Sequence, residues 1–220
     1  YYFVISNTDA LCNLTTTNPS ATIHDKNDVP FNKEGVSQRD VEVGQVLPYK
    51  ITGKVPDSTG YETYTYEITD TMSEGLTFDE SSLTVTVGNA DVTSDNTKCI
   101  ILKGTAAAPN TFKVTILVKN CTVGDEIVVT YKATVNENAV ATVSTNEAVL
   151  KYSNKPGTTD TGTLKSDHKV YSAKITINKF WKDGEANKPL ENVGFKLYKK
   201  EKPADGGTEI TKYYVKNPDT

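Results

Sequence analysis

The sequence predicts an all-β protein, an antiparallel β-sandwich, and three observations carry that prediction. Thr and Val account for 32 and 22 of the 220 residues. These β-branched types lose side-chain freedom in a helix and pack well on a pleated surface. Apolar residues alternate with polar ones at a period of two, in short runs bounded by turn residues. No window keeps an apolar stripe at helical spacing through three turns.

Taken in order, Phe31 and Lys33 share one face of a first extended segment, and Leu47, Tyr49 and Ile51 share one face of the next. After a turn at Pro56-Asp57-Ser58-Thr59-Gly60, the alternation places Tyr64, Tyr66, Ile68 and Asp70 together. Leu83, Val85 and Val87 follow, closed by the turn Gly88-Asn89-Ala90-Asp91. Beyond a turn region at 104–110 come Phe112, Val114, Ile116 and Val118, and after Gly124-Asp125 come Ile127, Val129, Tyr131, Ala133 and Val135. Asn146, Ala148, Leu150 and Tyr152 share the face of a further strand. From Ser153 to His168 the sequence is Thr- and Asp-rich and almost without apolar residues, which reads as a linker or long surface loop. Alternation resumes at Ile175 and Ile177, then at Val193, Phe195 and Leu197. That last stretch is smaller than a segment that ordinarily sustains its own core, so it reads as the beginning of a second module.

Charge narrows the function classes. Twenty-four Lys and Arg against 28 Asp and Glu give a net charge of −4, which removes the electrostatic basis for nonspecific nucleic-acid binding and for a basic membrane-surface protein. No run approaches the ~20 apolar residues of a spanning helix. The opening Tyr1-Tyr2-Phe3-Val4-Ile5, with no initiator Met, reads as a segment of a longer protein.

Catalytic and metal motifs are not found. His24 and His168 lie far apart in polar segments, in no ligand spacing and beside no nucleophile motif, and read as solvated loop histidines. Gly206-Gly207 lacks the Lys-Ser/Thr of a phosphate loop. Cys12, Cys99 and Cys121 match no zinc or redox spacing; three pairings are open, with Cys99 and Cys121, which bracket a hairpin, as the leading pair in an oxidising compartment, and three structural thiols are the equal alternative. The expectation is no enzyme of turnover, no cofactor and no metal.

The informative residues are polar ones on apolar faces: Lys33 beside Phe31, Asp70 in line with Tyr66 and Ile68, Asn146 in line with Ala148 and Leu150, and Lys179 in line with Ile175 and Ile177. Any one of them alone is ordinarily a solvated strand end. Together inside a core they would each cost several kcal/mol or shift their pKa strongly. A reaction that removes the charges resolves the conflict. A neutral Lys amine can attack an Asn side-chain carbonyl, releasing ammonia and leaving an amide, if a third group polarises the carbonyl and moves protons. Burial lowers a Lys pKa and raises an Asp pKa, which favours the neutral forms this chemistry needs.

These residues sit in segments that resemble the backbone pilins of sortase-assembled Gram-positive pili. The stretch from Val43-Gly44-Gln45 to Tyr49, then Tyr64 to Phe78 with its Asp-Thr-Met-Ser-Glu-Gly-Leu-Thr-Phe run, looks like the second domain of such pilins. Val129 to Ala133, Asn136 to Ala139 and Asn146 to Asn154 look like that domain's closing strands. Tyr1 to Leu14 resembles the last strand of a preceding domain, and Ile175 to Lys179 with Pro189 to Tyr198 resembles the opening of a CnaB-type domain. The resemblance implies tandem immunoglobulin-like (Cna-type) sandwiches. Their expected bounds are a preceding-domain tail at 1–20, an isopeptide-forming domain at 21–154, a linker at 155–171 and an incomplete CnaB-like part at 172–220.

By the same resemblance, Lys33 is the amine donor, Asn146 the acceptor and Asp70 the catalytic acid of an intramolecular isopeptide bond. Lys26 is the alternative donor, and Asn138 and Asn154 are weaker acceptors. Lys179 matches the CnaB donor position, with partners expected beyond Thr220. Implied too are a structural role in a cell-wall-anchored surface pilus, and other pilin subunits as partners in a head-to-tail covalent polymer made by a sortase. Leu47-Pro48-Tyr49-Lys50 is not a sorting signal, because it lacks the Thr-Gly and a following apolar tail. The alternative reading is an adhesive tip pilin or adhesin stalk that binds host extracellular matrix, for which Tyr61, Tyr213 and Tyr214 are the only aromatic hints.

Overall fold

The structure is a computed structural model that describes residues 29–173, 180–183, 186–189, 196–201 and 207–214. The expected preceding-domain tail, Cys12, His24, Lys26, Ile175, Ile177, Lys179, Val193 and Phe195 lie outside the described residues. The chain divides into two compact units, Tyr1–Lys174 and Ile175–Thr220.

Ten strands form the described part of the first unit: β1 (Phe31–Glu34), β2 (Val46–Lys54), β3 (Tyr66–Met72), β4 (Leu76–Val87), β5 (Ala90–Asp91), β6 (Cys99–Leu102), β7 (Thr111–Ile116), β8 (Glu126–Val135), β9 (Val143–Ser153) and β10 (Thr161–Tyr171). They make two sheets, in the orders β1-β2-β8-β4-β5 and β10-β9-β3-β7-β6, and every pairing within them is antiparallel. The expected sandwich is therefore present, and alternation built it. Leu47, Tyr49 and Ile51 of β2, Tyr66, Ile68 and Met72 of β3, Val114 and Ile116 of β7, and Ile127, Val129, Tyr131, Ala133 and Val135 of β8 all turn into one shared core. In β4 the inward residues are Leu76 and Phe78 at one end but Leu83, Val85 and Val87 at the other. That change of parity is made by a register shift against β8 between Asp79 and Thr84, since an odd number of extra residues in one strand re-aims all those after them. Gly88, at φ 60°, opens the two-residue turn between Val87 and Ala90, a left-handed position where a Cβ would be strained.

The linker expected over 155–171 is corrected by β10, which pairs with β9 through eleven residues from Thr161↔Ser153 to Tyr171↔Val143. Its composition misleads because it is an edge strand. Only His168 and Val170 are fully inside, and polar residues suit the faces turned to water. β10 is fixed instead by backbone bonding to β9 and by a seam with β1 and the segment that follows it. Ser166 Oγ accepts from the Lys33 backbone N–H at 3.0 Å, His168 Nε2 lies 3.0 Å from the Val36 carbonyl, and Tyr171 bonds Arg39 and Val41 through its backbone at 2.8 and 2.9 Å. The seam joins the edge of one sheet to the edge of the other, on the side where the sequence placed its polar residues.

The second unit is described as two hairpins, β11 (Phe180–Asp183) with β12 (Ala186–Pro189) and β13 (Leu197–Glu201) with β14 (Ile210–Tyr214). Tyr198 and Tyr213 face each other across β13 and β14 with ring centroids 6.1 Å apart. Among the described residues, no helix is long and apolar enough to cross a membrane.

The seam has a tight point at Gly35, where a Cβ would meet the His168 ring at 2.8–2.9 Å. Gly35→Ala should destabilise the unit by about 1–3 kcal/mol through overpacking, read as a lower urea midpoint. Adding His168→Ala makes room, so the double variant should lose less than the sum of the two single losses. Simple additivity would show that the two positions do not press on each other.

Candidate functional site

Three of the four sequence-predicted site residues converge at one point. β1 brings Lys33 in from the edge of one sheet, and β3 and β9, adjacent in the other, bring Asp70 and Asn146, with Met72 directly opposite Asn146 in the register. Each is carried inward by the same alternation that packs its apolar neighbours, because side chains at i and i+2 share a face. Asp70 and Asn146 are completely buried, and the side chains of both Lys33 and Asp70 have no exposed surface.

The contacts are direct. Lys33 Nζ donates to Asp70 Oδ2 and to the Tyr131 hydroxyl, and to Asn146 Oδ1 at 2.7 Å. Asn146 Nδ2 donates to the Tyr131 hydroxyl at 3.0 Å. One carbonyl bond of about 1.2 Å separates Oδ1 from the amide carbon, so the Lys33 nitrogen and that carbon are no more than about 4 Å apart, close to the separation of a near-attack geometry. Asp70 Oδ1, on the far side of the carboxyl, is buried without a hydrogen-bond partner.

Aromatic rings wall the site. The Lys33 nitrogen lies 5.3 Å from the Tyr49 ring centre and 5.1 Å from that of Tyr131. Those two rings stack at 5.4 Å, Phe112 packs edge-on against Tyr131 at 4.8 Å, and His168 sits edge-on to Tyr49 at 5.8 Å. Burial among these rings drives the electrostatics. It lowers the Lys33 pKa from 10.5 to about 8, against the opposing pull of Asp70, and raises that of Asp70 against the opposing pull of Lys33. Both directions move the pair from ammonium and carboxylate towards amine and carboxylic acid. Burial also pushes the Tyr49 phenol up to about 12 and the Tyr131 phenol well above its ordinary value, with Asp70 adding to the effect.

Tyr131 and Tyr49 were read from the sequence only as apolar strand positions, and that they lie opposite each other in β8 and β2 is a pairing no local pattern displays. His168, read as a solvated loop residue, is corrected. It is 7% exposed, and burial lowers its pKa, because the strand that carries it closes the side of the site. Of the weaker acceptors, Asn138 is engaged in a turn, its backbone N–H donating to Asn136 Oδ1 at 2.9 Å. Asn154 follows β9, its backbone N–H bonded to Asp160 at 3.3 Å. Cys99 is buried, Cys121 is partly buried, and both are free thiols. No group of three or more His, Cys, Asp or Glu suited to a metal ion occurs among the described residues.

Comparison with known proteins sets this geometry in context. Residues 43–156 match the family described as Gram-positive pilin backbone subunit 2, Cna-B-like domain. The chain is 32% identical over 191 residues to the trypsin-resistant surface T6 protein of Streptococcus pyogenes, an alignment that covers 75% of the chain and 34% of that protein. The chain thus spans about a third of that relative's length. Among solved structures, the T6 backbone pilin of Streptococcus pyogenes aligns with TM-score 0.51 and 23% identity over 74% of this chain and 39% of its own. Domains D2 and D3 of the major pilin SpaD of Corynebacterium diphtheriae align with TM-score 0.51 and 19% identity over 64% and 52%. Both likenesses concern the fold.

The Lys33 shift has a consequence for stability while the amine is free. Between about pH 8 and 10.5 the unfolded chain still holds the lysine proton that the folded chain has lost, so stability should rise with pH across that window. An Asn146→Leu chain, whose amine has no carbonyl beside it, should show the rise in urea denaturation. A flat profile there would mean that Lys33 is hydrated like a surface lysine.

Proposed function

The chain belongs to the Gram-positive pilin backbone family, and from that premise we propose that its first unit is a shaft module, which closes itself with an amide bond between Lys33 and Asn146. The observation that carries this reading is the 2.7 Å approach of the Lys33 nitrogen to the Asn146 carbonyl, inside a fully buried site that also holds Asp70.

The chemistry follows from the residues present. The amine of Lys33, whose neutral form burial makes more accessible, adds to the Asn146 amide carbon. Asp70, whose acid form the same burial favours, donates towards the carbonyl oxygen as negative charge develops there and recovers that proton as the carbonyl re-forms. The Cγ–Nδ2 bond breaks, and the nitrogen leaves as ammonia. The product is an uncharged amide, so the site loses its buried ionisable amine. Folding supplies the proximity, since the strands hold amine and carbonyl together where solution aminolysis would be very slow. Each molecule reacts once, so this is maturation of a structural protein.

Such a bond would act mechanically. It ties β1 to β9, strands of opposite sheets 113 residues apart in sequence. Without it, tension on β1 falls on sheet hydrogen bonds that net about 0.5–1.5 kcal/mol each. A crosslink over a loop of about 100 residues also restricts the unfolded chain by roughly 4–5 kcal/mol, if it acts as a disulfide of that span does. In this reading the wider protein is a surface pilus subunit, joined head-to-tail to other copies by a sortase and anchored to the cell wall. Lys179 would be the donor of a second bond in the following module.

Intact-mass spectrometry tests the claim. The chain should be lighter than its sequence mass by one ammonia for each bond formed, and Lys33→Ala, Asp70→Ala and Asn146→Ala should each restore the ammonia lost within the first unit. A wild-type chain of full sequence mass would sink the proposal.

A further inference from the structure

Tyr131 stands at the meeting point of the Lys33 and Asn146 side-chain nitrogens. Its hydroxyl accepts from Lys33 Nζ, the nitrogen that would form the new bond, and from Asn146 Nδ2, the nitrogen that would leave, at 3.0 Å. Asp70 also acts on it through charge and a hydrogen bond. Proposing a Lys33–Asn146 amide leaves one requirement open. The attacking nitrogen must lose a proton, and the departing nitrogen must gain one before it can leave as ammonia.

We propose that Tyr131 is a catalytic residue that passes this proton directly from the attacking nitrogen to the departing one. The inference rests on the crosslinking reading and adds a group to it. In the unreacted amide, Nδ2 has its lone pair delocalised and can only donate, as it does here. Once Nζ has added to the carbon, Nδ2 becomes pyramidal and basic, and its hydrogen bond with the hydroxyl reverses. The hydroxyl proton moves to Nδ2, a proton from Nζ replaces it on the hydroxyl oxygen, the Cγ–Nδ2 bond breaks and ammonia departs. The Nζ–Cγ bond is the one formed, and Tyr131 ends as it began. Nothing is oxidised or reduced.

Two further features suit the ring to this work. Tyr131 is locked by stacking on Tyr49 and by edge contacts with Phe112 and Phe78, at 5.4, 4.8 and 5.8 Å, so the hydroxyl is held in place before the reaction starts. Burial keeps the phenol protonated, so it acts by handing a proton on, not as a standing phenolate.

Tyr131→Phe keeps the ring and removes the relay. In the full chain, made by cell-free synthesis and acid-quenched at intervals for intact mass, it should lose ammonia about 100- to 10,000-fold more slowly than wild type, the range for a lost proton-transfer group. Fluorinated tyrosine at position 131 keeps the hydroxyl and the packing but changes its acidity. It should alter the rate while leaving the circular dichroism spectrum unchanged, which also decides the matter if Tyr131→Phe folds poorly. Wild-type rates in both variants would overturn the role of Tyr131 while leaving the crosslink intact. A wild-type chain that never loses ammonia would instead overturn the crosslink itself, and the relay with it.

Discussion

The first unit is organised around one constraint: a lysine and an aspartate buried with no exposed side-chain surface and in contact with each other, the lysine also reaching an asparagine amide. Taking two charges out of water is penalised by several kcal/mol per ion, and their attraction offsets that only when the geometry is close and the remaining hydrogen bonds are made. The surroundings reflect the demand. Lys33 has three oxygen partners and two aromatic faces, whereas Asp70 keeps one oxygen unpartnered. An ion pair left partly unsatisfied in a dry core is a poor stabilising device but a good reactant, since its neutral forms are the amine and the acid that amide exchange requires. The same burial that makes the site unfavourable as a salt bridge thus favours the chemistry proposed for it.

That constraint also accounts for the strand arrangement. The donor comes from the edge strand β1 and the acceptor from β9, with β10 laid along β9 as the outermost strand of its sheet. Without β10, β9 would be an open edge with Asn146 on it, and the flank of Lys33 would face water. The seam through Ser166, His168 and Tyr171 holds the stretch after β1 against β10, so the two sheets are closed on the side where the reactive groups meet. The opposite edges, β5 and β6, carry no comparable cluster of buried ionisable groups among the described residues.

Much of this was legible one strand at a time. The runs around Tyr49, Ile68, Val114, Val129 and Leu150 have the periodicity of half-buried strands, and Lys33, Asp70 and Asn146 stood out because they broke an apolar face they otherwise belonged to. The segment 161–171 was not legible, because an edge strand held by main-chain bonds needs few apolar side chains and its composition matches that of a loop. His168 went unrecognised with it. Tyr131 was hidden for the opposite reason: a tyrosine facing the core fits the apolar pattern perfectly, and nothing local marks its hydroxyl as the polar part that matters.

The sequence by itself determined which residues of a strand share a face, since that depends on a two-residue period that a regular strand obeys regardless of its neighbours. It therefore settled the all-β class and placed the lysine, the aspartate and the asparagine on faces they share with apolar neighbours. Only the tertiary structure decided which strands lie side by side and how their sheets are closed. Residues 33, 70, 131, 146 and 168 meet because hydrogen-bond registers and the packing of two sheets bring distant segments to one place, and that pairing is a property of the whole core.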